Sequence, residues 1–252
     1  MAKTICVANQ KGGVGKTTTA INVSAALAQL SKKTLLVDCD PQANATTGVG
    51  IDKSSIKKTL YHGLIGDVPV KDTIVPSGIE NLDIVPSRVE LIGFEVEMMS
   101  DAGRELILKN FLSGILDSYD YVIIDCPPSL SLLTLNAMAA ADSILVPLQS
   151  EFYALEGLSQ LMQTVKRIKQ SLNPPLKING ILLTMFDKRT NLSFQVAEEA
   201  EKHFKDLVYA TRIPRSVRLS EAPSFGEPIF TYDGASVGAK CYMALAREVV
   251  AR

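Results

Sequence analysis

The sequence predicts an α/β fold in which a mostly parallel, twisted sheet is flanked by helices on both faces. Short apolar runs alternate with longer stretches of helical periodicity along the 252 residues, as in chains that build parallel sheets. The apolar runs are almost uninterrupted, which is typical of strands buried on both faces. Hydrophobic residues make up 46% of the chain and Gly and Pro are spread out, so we expect residues 1–252 to form a single domain with one core.

Each strand is predicted from a short run rich in Val, Ile and Leu, and each helix from apolar residues that recur every three or four positions. The predicted strands are Thr4–Ala8, Thr34–Asp38, Leu82–Val85, Tyr121–Asp125, Ser143–Pro147, Ile178–Thr184 and a short one at Val208–Thr211. The predicted helices are Thr17–Leu30, Ala102–Asp117, Leu132–Ala140, Ala154–Ser171, Ser193–Lys205 and Ala235–Ala251. Because ligands bind at the carboxyl ends of strands in such sheets, the residues that follow each strand are the functional candidates.

The charge balance, the length of the apolar runs and the spacing of the cysteines limit which kinds of protein this chain can be. The 26 basic and 27 acidic residues nearly balance, so binding to a polyanion would need a local basic patch. No targeting segment precedes the first strand and no apolar run is long enough to cross a bilayer, so we expect a cytoplasmic protein. We interpret the cysteines as small buried hydrophobes, because the alternative, an iron–sulfur ligand set, has no C-x-x-C spacing to support it. The four cysteines are Cys6, Cys39, Cys126 and Cys241.

A glycine-rich turn joins the first strand to the first helix. Backbone N–H groups of such a turn point at a bound anion, and the dipole of the following helix favours negative charge there. Lys16 is placed to reach the β- and γ-phosphates of a nucleotide, and the Thr17 hydroxyl is placed to bind Mg²⁺. The sequence therefore predicts a nucleotide site made by Lys11, Gly12, Gly13, Val14, Gly15, Lys16, Thr17 and Thr18.

Lys11 is a second lysine in this turn, and two interpretations of it are open. Most lysines are solvated, but a cation beside a phosphate site is useful when it meets phosphate, in its own subunit or in a neighbouring one. The ordinary Walker A pattern has a glycine where this chain has Gln10. The pattern K-G-G-x-G-K-T-T instead resembles the deviant Walker A motif of the ParA/MinD group of ATPases.

That resemblance implies a P-loop NTPase of the deviant Walker A type that uses ATP and Mg²⁺. It also implies an ATP-dependent homodimer in which Lys11 reaches across the interface. An arginine finger raises phosphoryl-transfer rates by about 10³–10⁵, and no motif of this chain places an arginine in that role. We therefore take Lys11 as the catalytic candidate in place of an arginine finger. Lys16 and Asp40 are the other two catalytic candidates.

Three acids follow predicted strands. Asp38 and Asp40 either cap the turn at Asp-Pro or serve nucleotide hydrolysis. Similarity to ParA-like proteins implies that Asp40 positions or activates the attacking water and that Asp38 lies near the magnesium shell. Asp125 follows four hydrophobic residues, as in a Walker B strand, and is expected to hold Mg²⁺ with Thr17.

Two later segments extend the resemblance to the chromosomal ParA (Soj) proteins. They read T-M-x-D-x-R-T-N-L from Thr184 and I-P-R-x-V-R-L-S-E-A-P-S from Ile213. The resemblance implies four residues close to the adenine: Met185, Pro214, Arg215 and Ser216.

The same two segments carry basic residues. Arg189 and Arg218 match family positions that contact the DNA backbone, and Lys188, Arg212 and Arg215 would widen that patch. Taken singly, each is better explained as an ordinary solvated charge. Their clustering near strand ends favours a patch that binds DNA phosphates without sequence preference and with strong sensitivity to salt.

The resemblance as a whole implies a chromosome-partitioning ATPase. It would dimerise on ATP, bind double-stranded DNA on the nucleoid, and leave it after hydrolysis stimulated by a ParB-like centromere-binding protein. A MinD-like regulator that cycles on membranes and a metabolic ATPase of the same fold are the alternatives. We expect no membrane partner, because no basic amphipathic tail is recognisable near the last residues. We also expect no sequence-specific operator binding, because no helix-turn-helix is recognisable before the glycine-rich turn.

Overall fold

In the computed structural model, which describes residues 1–151 and 154–252, the strands form one sheet. They are β1 (Lys3–Val7), β2 (Thr34–Asp38), β3 (Val75–Ile79), β4 (Leu82–Val85), β5 (Tyr121–Asp125), β6 (Ser143–Gln149) and β7 (Lys177–Thr184). Their order across the sheet is β3-β4-β2-β5-β1-β6-β7. The β3–β4 pair is antiparallel and the other pairs are parallel. The predicted, mostly parallel α/β fold is confirmed.

Helices cover both faces of this sheet. They are α1 (Lys16–Gln29), α2 (Asn44–Gly48), α3 (Leu60–Leu64), α4 (Ile92–Glu97), α5 (Ile107–Ser113), α6 (Leu132–Ala140), α7 (Ala154–Ser171), α8 (Asn191–Phe204), α9 (Val217–Glu221), α10 (Ile229–Asp233) and α11 (Val237–Ala251). Successive strand residues enter different cores: Ile123 packs in the cluster with α1 and α11, and Ile124 in the cluster with α5 to α8. The described part of the chain contains no helix that is both long and apolar enough to span a membrane.

The centre of the sheet brings the functional candidates together. β5 lies between β1 and β2, and Asp125 pairs in register with Val7 on one side and Asp38 on the other. The glycine-rich turn that follows β1 therefore lies beside two acids at the carboxyl edge of the sheet. This edge is where parallel α/β sheets bind ligands.

One strand prediction was wrong, and one strand was missed. Val208–Thr211 makes only an isolated bridge from Val208 to Ile181, because the next two amides, of Ala210 and Thr211, donate to the Glu248 carboxylate at 3.0 and 2.9 Å instead of to a strand. Conversely, β3 was not predicted, because Pro76 and Gly78 weaken its strand pattern. Both residues are tolerated there, since β3 is an antiparallel edge strand with an irregular register.

The helix predicted over Ala102–Asp117 is also shorter than expected. Gly103 has a positive φ of 82°, so a 3-10 turn at Arg104–Leu106 precedes α5, and another at Leu116–Ser118 follows it. A left-handed residue interrupts helical hydrogen bonding, and glycine adopts that conformation without strain. The remaining predicted helices are found within two residues of their expected ends.

Candidate nucleotide site and basic surface

The turn between β1 and α1 has the backbone of an anion-binding loop. Gly13 and Gly15 have φ values of 73° and 84°, which residues with a side chain rarely adopt. Gly15 caps α1 at its N-terminus, so the free N–H groups of the first helical turn face the loop. The Thr184 hydroxyl, at the end of β7, donates to the Val14 carbonyl at 2.8 Å and fixes the loop to the sheet.

Lys16 lies inside this loop and not on its surface. Its side chain is buried, and its ammonium donates to the Lys11 carbonyl at 3.0 Å. Burial lowers the pKa of Lys16, and the charge of Asp125 is the strongest effect that opposes this lowering. A desolvated ammonium held in place in this way is a strong partner for a phosphate group.

Two adjoining cavities are lined by most of the residues predicted for the nucleotide, and Lys11 and Val14 line neither of them. The first, of about 370 Å³, is lined by Gly12, Gly13, Gly15, Lys16, Thr17, Thr18, Asp40, Gln42, Asn44, Pro128 and Met185. The second, of about 100 Å³, is lined by Gly15, Thr18, Thr184, Met185, Ile213, Pro214, Arg215, Ser216, Leu219, Ser220 and Tyr242. Because Gly15, Thr18 and Met185 line both, the residues predicted for phosphate and for adenine form one continuous site.

The backbone beside the adenine-side cavity is also ordered by the sheet. The Phe186 amide donates to the Ile213 carbonyl at 2.9 Å, and the Ile213 amide donates to the Leu183 carbonyl at 2.8 Å. Met185 between them has a φ of 50°, an uncommon conformation for a residue with a side chain. The two segments of the Soj-like pattern are therefore joined at the point where Met185 and Pro214 line the cavity.

Asp38 and Asp40 differ in what their carboxylates contact. Asp38 is fully buried and accepts hydrogen bonds from the amide and hydroxyl of Thr46, both at 2.7 Å, and from the amide of Asp40 at 3.1 Å. Burial raises the pKa of Asp38 to about 6 despite these bonds. Asp40 lines the phosphate cavity and accepts from the Gln42 amide at 2.9 Å. The second carboxylate thus faces the cavity, and the first anchors the loop that carries it.

Asp125 is the one of the three acids whose oxygens lack hydrogen-bond partners among the described residues. Both oxygens are buried without a hydrogen bond of standard geometry. Burial raises the pKa of Asp125 well above its usual range, the neighbouring Asp38 raises it further, and the Thr17 hydroxyl lowers it. Buried carboxylate oxygens beside a threonine hydroxyl and Lys16 fit a hard divalent cation such as Mg²⁺. Of the residues predicted for the metal, Thr17 and Asp125 therefore fit Mg²⁺, whereas the oxygens of Asp38 are taken up by hydrogen bonds from Thr46 and Asp40.

Lys11 points to the end of β6. Its ammonium forms an ion pair with Glu151 at 2.7 Å, and both side chains are half-exposed. The side-chain amide of Gln149 donates to the other carboxylate oxygen of Glu151. Sequence reasoning did not identify Glu151 as a contact of Lys11; the only signal was its place just after a predicted strand.

The residues Cys6, Cys39 and Cys126 are buried as expected, and Cys241 is half-buried.

The predicted DNA-binding residues fall into two groups. Lys188, Arg189 and Arg215 line a cavity of about 610 Å³, with Arg212 and apolar side chains around them. Arg189 is 85% exposed and pairs with Asp187 at 2.7 Å, which lowers the pKa of that carboxyl.

Arg218 is directed elsewhere. It lies 3.4 Å from Glu221, 3.6 Å from Asp233 and over the Tyr232 ring, and it does not line the large cavity. The structure brings Lys188, Arg189 and Arg215 together at one cavity and surrounds Arg218 with acidic neighbours. Arg218 therefore lies near two acids, whereas Arg189 is paired more closely with one, Asp187.

Comparisons with known proteins give consistent matches. A family model described as an AAA domain matches residues 2–178. The chain is 54% identical over 251 residues to the sporulation initiation inhibitor protein Soj of Bacillus subtilis strain 168, covering 100% of this chain and 99% of the relative. It is 54% identical over 252 residues to the chromosome partitioning protein ParA of Myxococcus xanthus, covering 100% of this chain and 89% of the relative. A solved structure of cobyrinic acid a,c-diamide synthase from Mycobacterium smegmatis, with bound ADP and magnesium, matches with a TM-score of 0.86 and 36% identity over 98% of this chain and 93% of that one.

Proposed function

This chain belongs to the Soj/ParA family of chromosome-partitioning ATPases, and we propose that it binds ATP with Mg²⁺, dimerises, coats DNA without sequence preference and leaves it after hydrolysis. The triphosphate lies in the cavity around Lys16, and the adenine lies against Met185 and Pro214 in the adjoining cavity. Arg215 and Ser216 line the same side. Of the loop residues that the sequence assigned to the nucleotide, Gly12, Gly13, Gly15, Lys16, Thr17 and Thr18 line the phosphate side of this site.

Thr17 and Asp125 would hold the magnesium ion. When bound, Mg²⁺ neutralises phosphate charge and orients the β- and γ-phosphates. The buried, unpartnered oxygens of Asp125 support this assignment. We also place Asp38 beside the magnesium shell. The three hydrogen bonds that its carboxylate accepts, one from the Asp40 amide and two from Thr46, position the backbone of Asp40.

Asp40 orients the water that attacks the γ-phosphorus. Its carboxylate faces the phosphate cavity and its second role as a turn residue is limited to one bond from Gln42. As the water oxygen bonds to phosphorus, the bond to the ADP oxygen breaks, and Lys16 stabilises the negative charge on the phosphoryl oxygens. Lys11, delivered by the second subunit after its pair with Glu151 opens, supplies a further positive charge; turnover by one subunit alone is therefore slow.

One observation carries the link from nucleotide to DNA: Pro214 and Arg215 line both the adenine-side cavity and the large basic cavity. A nucleotide that moves these two residues changes the surface that Lys188 and Arg189 share with them. DNA binding then depends on the nucleotide, and two such surfaces in a dimer bind more tightly than one. A ParB-like centromere-binding protein stimulates hydrolysis and so releases the dimer from the nucleoid.

The decisive experiment measures DNA binding with ADP, ATP and a slowly hydrolysed ATP analogue at two salt concentrations. We expect retention only with the triphosphates, and a steep fall with salt, because phosphate contacts release counterions. Light scattering in the same nucleotide states tests the dimer. DNA binding that is equal in every state, or absent in all, would contradict the proposal.

Two other functions use the same ATPase. A MinD-like regulator would sediment with liposomes in the presence of ATP, and the partition ATPase would not. A metabolic enzyme is suggested by the structural similarity to cobyrinic acid a,c-diamide synthase, but the curated relatives at 54% identity over the full chain carry the names Soj and ParA. Turnover stimulated by a small carboxylic acid, and not by DNA with a protein partner, would favour the metabolic function.

A further inference from the structure

Asn9 is a buried polar residue between β1 and the glycine-rich turn, outside the loop residues assigned to the nucleotide. Only 5% of its surface is exposed. A buried side-chain amide costs free energy unless its donor and its acceptor both find partners. Because Asn9 lies two residues before Lys11, the partners that it has found bear on how the loop is held.

The side chain of Asn9 joins this turn to the neighbouring strand β6. Its side-chain amide donates to the Pro147 carbonyl at 2.7 Å, and its side-chain oxygen accepts from the Lys11 amide at 3.0 Å. The Ala8 amide donates to the Leu145 carbonyl at 3.1 Å, so the carboxamide extends the contact between β1 and β6 beyond the end of β1. A carboxamide can make both bonds because it carries a donor and an acceptor.

Both lysines of the turn depend on the backbone that Asn9 holds. The Lys16 ammonium donates to the Lys11 carbonyl at 3.0 Å, and the Lys11 ammonium pairs with Glu151 at 2.7 Å. Glu151 follows β6, which is the strand that Asn9 contacts. Lys11 is therefore fixed at its amide by Asn9, at its carbonyl by Lys16 and at its side chain by Glu151.

Other parts of the turn are held by bonds that do not involve Lys11. The Thr184 hydroxyl donates to the Val14 carbonyl at 2.8 Å, and the Gln10 side-chain amide donates to the Thr164 hydroxyl of α7 at 3.4 Å. Loss of the buried carboxamide should therefore loosen Lys11 and leave these two bonds in place. A misplacement of about 1 Å can reduce a catalysed rate by about 10²-fold, so an effect that reaches Lys11 alone is large enough to measure.

We propose that Asn9 is a positioning residue for hydrolysis: it fixes the backbone of Lys11 so that the Lys11 ammonium reaches the phosphates bound by the second subunit. This inference rests on the proposed function, in which Lys11 is delivered across a dimer interface. Asn9 does not line the phosphate cavity, so its effect passes through Lys11. When the pair between Lys11 and Glu151 opens, a lysine on a fixed backbone has only its side-chain torsions to order, so less conformational entropy is lost when it reaches a phosphate.

The first test measures turnover, ATP affinity and the ATP-state mass of Asn9→Ala. We expect turnover to fall by about 10–10²-fold, while ATP affinity and ATP-dependent dimerisation persist. Gln10→Ala is the matched control, because it removes a side-chain bond of the same turn that does not involve Lys11, and its turnover should stay close to that of wild type. Wild-type turnover in Asn9→Ala would remove the positioning role and leave the proposed function intact.

Asn9→Asp is the second variant, which replaces Asn9→Ala in every measurement if alanine prevents folding. It keeps the size of the side chain and loses the donor to the Pro147 carbonyl. The bond to β6 is then broken, and turnover should fall as well.

Mixed dimers test whether Asn9 acts through the Lys11 that serves the opposite site. Asn9→Ala is mixed in equal amounts with Asp40→Ala, which we expect to bind ATP and dimerise. In a mixed dimer, the site of the Asn9→Ala subunit keeps its own Asp40 and receives Lys11 from a subunit in which Asn9 is intact. Random mixing gives about half mixed dimers, each with one working site, so we expect about a quarter of wild-type turnover, well above the value of either variant alone.

A parallel mixture of Lys11→Ala with Asp40→Ala tests the proposed function by itself, because it asks only whether Lys11 works across the interface. Recovery of turnover in both mixtures supports the positioning role of Asn9. Recovery with Lys11→Ala and not with Asn9→Ala would show that Asn9 acts within its own subunit, through Lys16; this overturns the inference while the proposed function stands. Failure of both mixtures contradicts the delivery of Lys11 by the second subunit, and the role of Asn9 with it.

Discussion

The acids at the ends of β2 and β5 and the bases between Lys188 and Arg218 are held in different ways. Asp38 and Asp125 are buried and sit opposite each other on adjacent strands. Lys188 and Arg189 are exposed, and Arg189 contacts an acid two residues away in sequence. A buried charge must have its place defined by the fold, since burial without a partner is costly. An exposed charge has no such requirement, so its role depends on what approaches it.

The largest effect that would sharpen this comparison is on hydrolysis. Asp40→Ala removes the carboxylate that faces the phosphate cavity, so we expect turnover to fall by about 10²–10³-fold while ATP affinity and ATP-dependent dimerisation persist. Single-turnover phosphate release and nucleotide titration measure the two properties separately. Unchanged hydrolysis would remove Asp40 from its proposed role.

Stability of the buried region is the next test. Thr46→Val deletes the hydroxyl that donates to Asp38 at 2.7 Å and accepts from the Ser87 amide at 2.9 Å. Leaving buried polar groups without partners should lower the free energy of unfolding by about 3 kcal/mol, measured by urea denaturation. Thr47→Val is the matched control, because the Thr47 side chain is exposed and binds only the Ala43 carbonyl within its own helix. Similar losses in both variants would show that the Asp38 network contributes little.

On the exposed side, Arg189→Glu should weaken DNA retention about tenfold and leave ATP affinity and unfolding unchanged. The substitution replaces a cation that we propose to bind DNA phosphate by a carboxylate, and Asp187 beside it remains acidic. Retention measured over a salt series should also show a slope reduced by about one for the lost phosphate contact. Parallel loss of DNA and ATP binding would mean that Arg189 is structural.

Arg218→Ala provides the smallest contrast. Arg218 lies near two acids, Glu221 and Asp233, it does not line the cavity that Arg189 lines, and alanine removes its charge without adding an opposite one. We therefore expect DNA retention to fall only about twofold. The same salt series measures it beside Arg189→Glu. An equal effect of the two substitutions would show that DNA displaces the acidic neighbours of Arg218.

The nucleotide end of the fold was predictable because its chemistry is local in sequence. The loop from Lys11 to Thr18 needs glycines at fixed positions, and Gly13 and Gly15 do adopt positive φ. The position of Asp125 at the end of a buried strand could be predicted from the four hydrophobic residues before it, and its role in binding the metal stays a prediction. Such residues are tied to backbone geometry, which a sequence pattern records.

The features that could not be predicted depend on contacts between distant segments. The Lys11–Glu151 pair joins residues 140 positions apart, and Thr46 reaches Asp38 only because the loop after β2 folds back. The failed strand at Val208–Thr211 has the same origin, since Glu248 on α11 takes up its amides. Arg218 likewise has Asp233 beside it only in the folded chain, whereas its other acidic neighbour, Glu221, is three residues away on the same helix.

Pro214 and Arg215 line two cavities at once, and this bears on where in the cell the protein stays bound to ATP. When one ligand changes the affinity for a second, the second changes the affinity for the first by the same factor. DNA that prefers the ATP-bound protein must therefore raise the affinity of the protein for ATP. On this argument the nucleoid would keep the protein in its ATP-bound state, and the place where ATP is hydrolysed would be set by the partner alone.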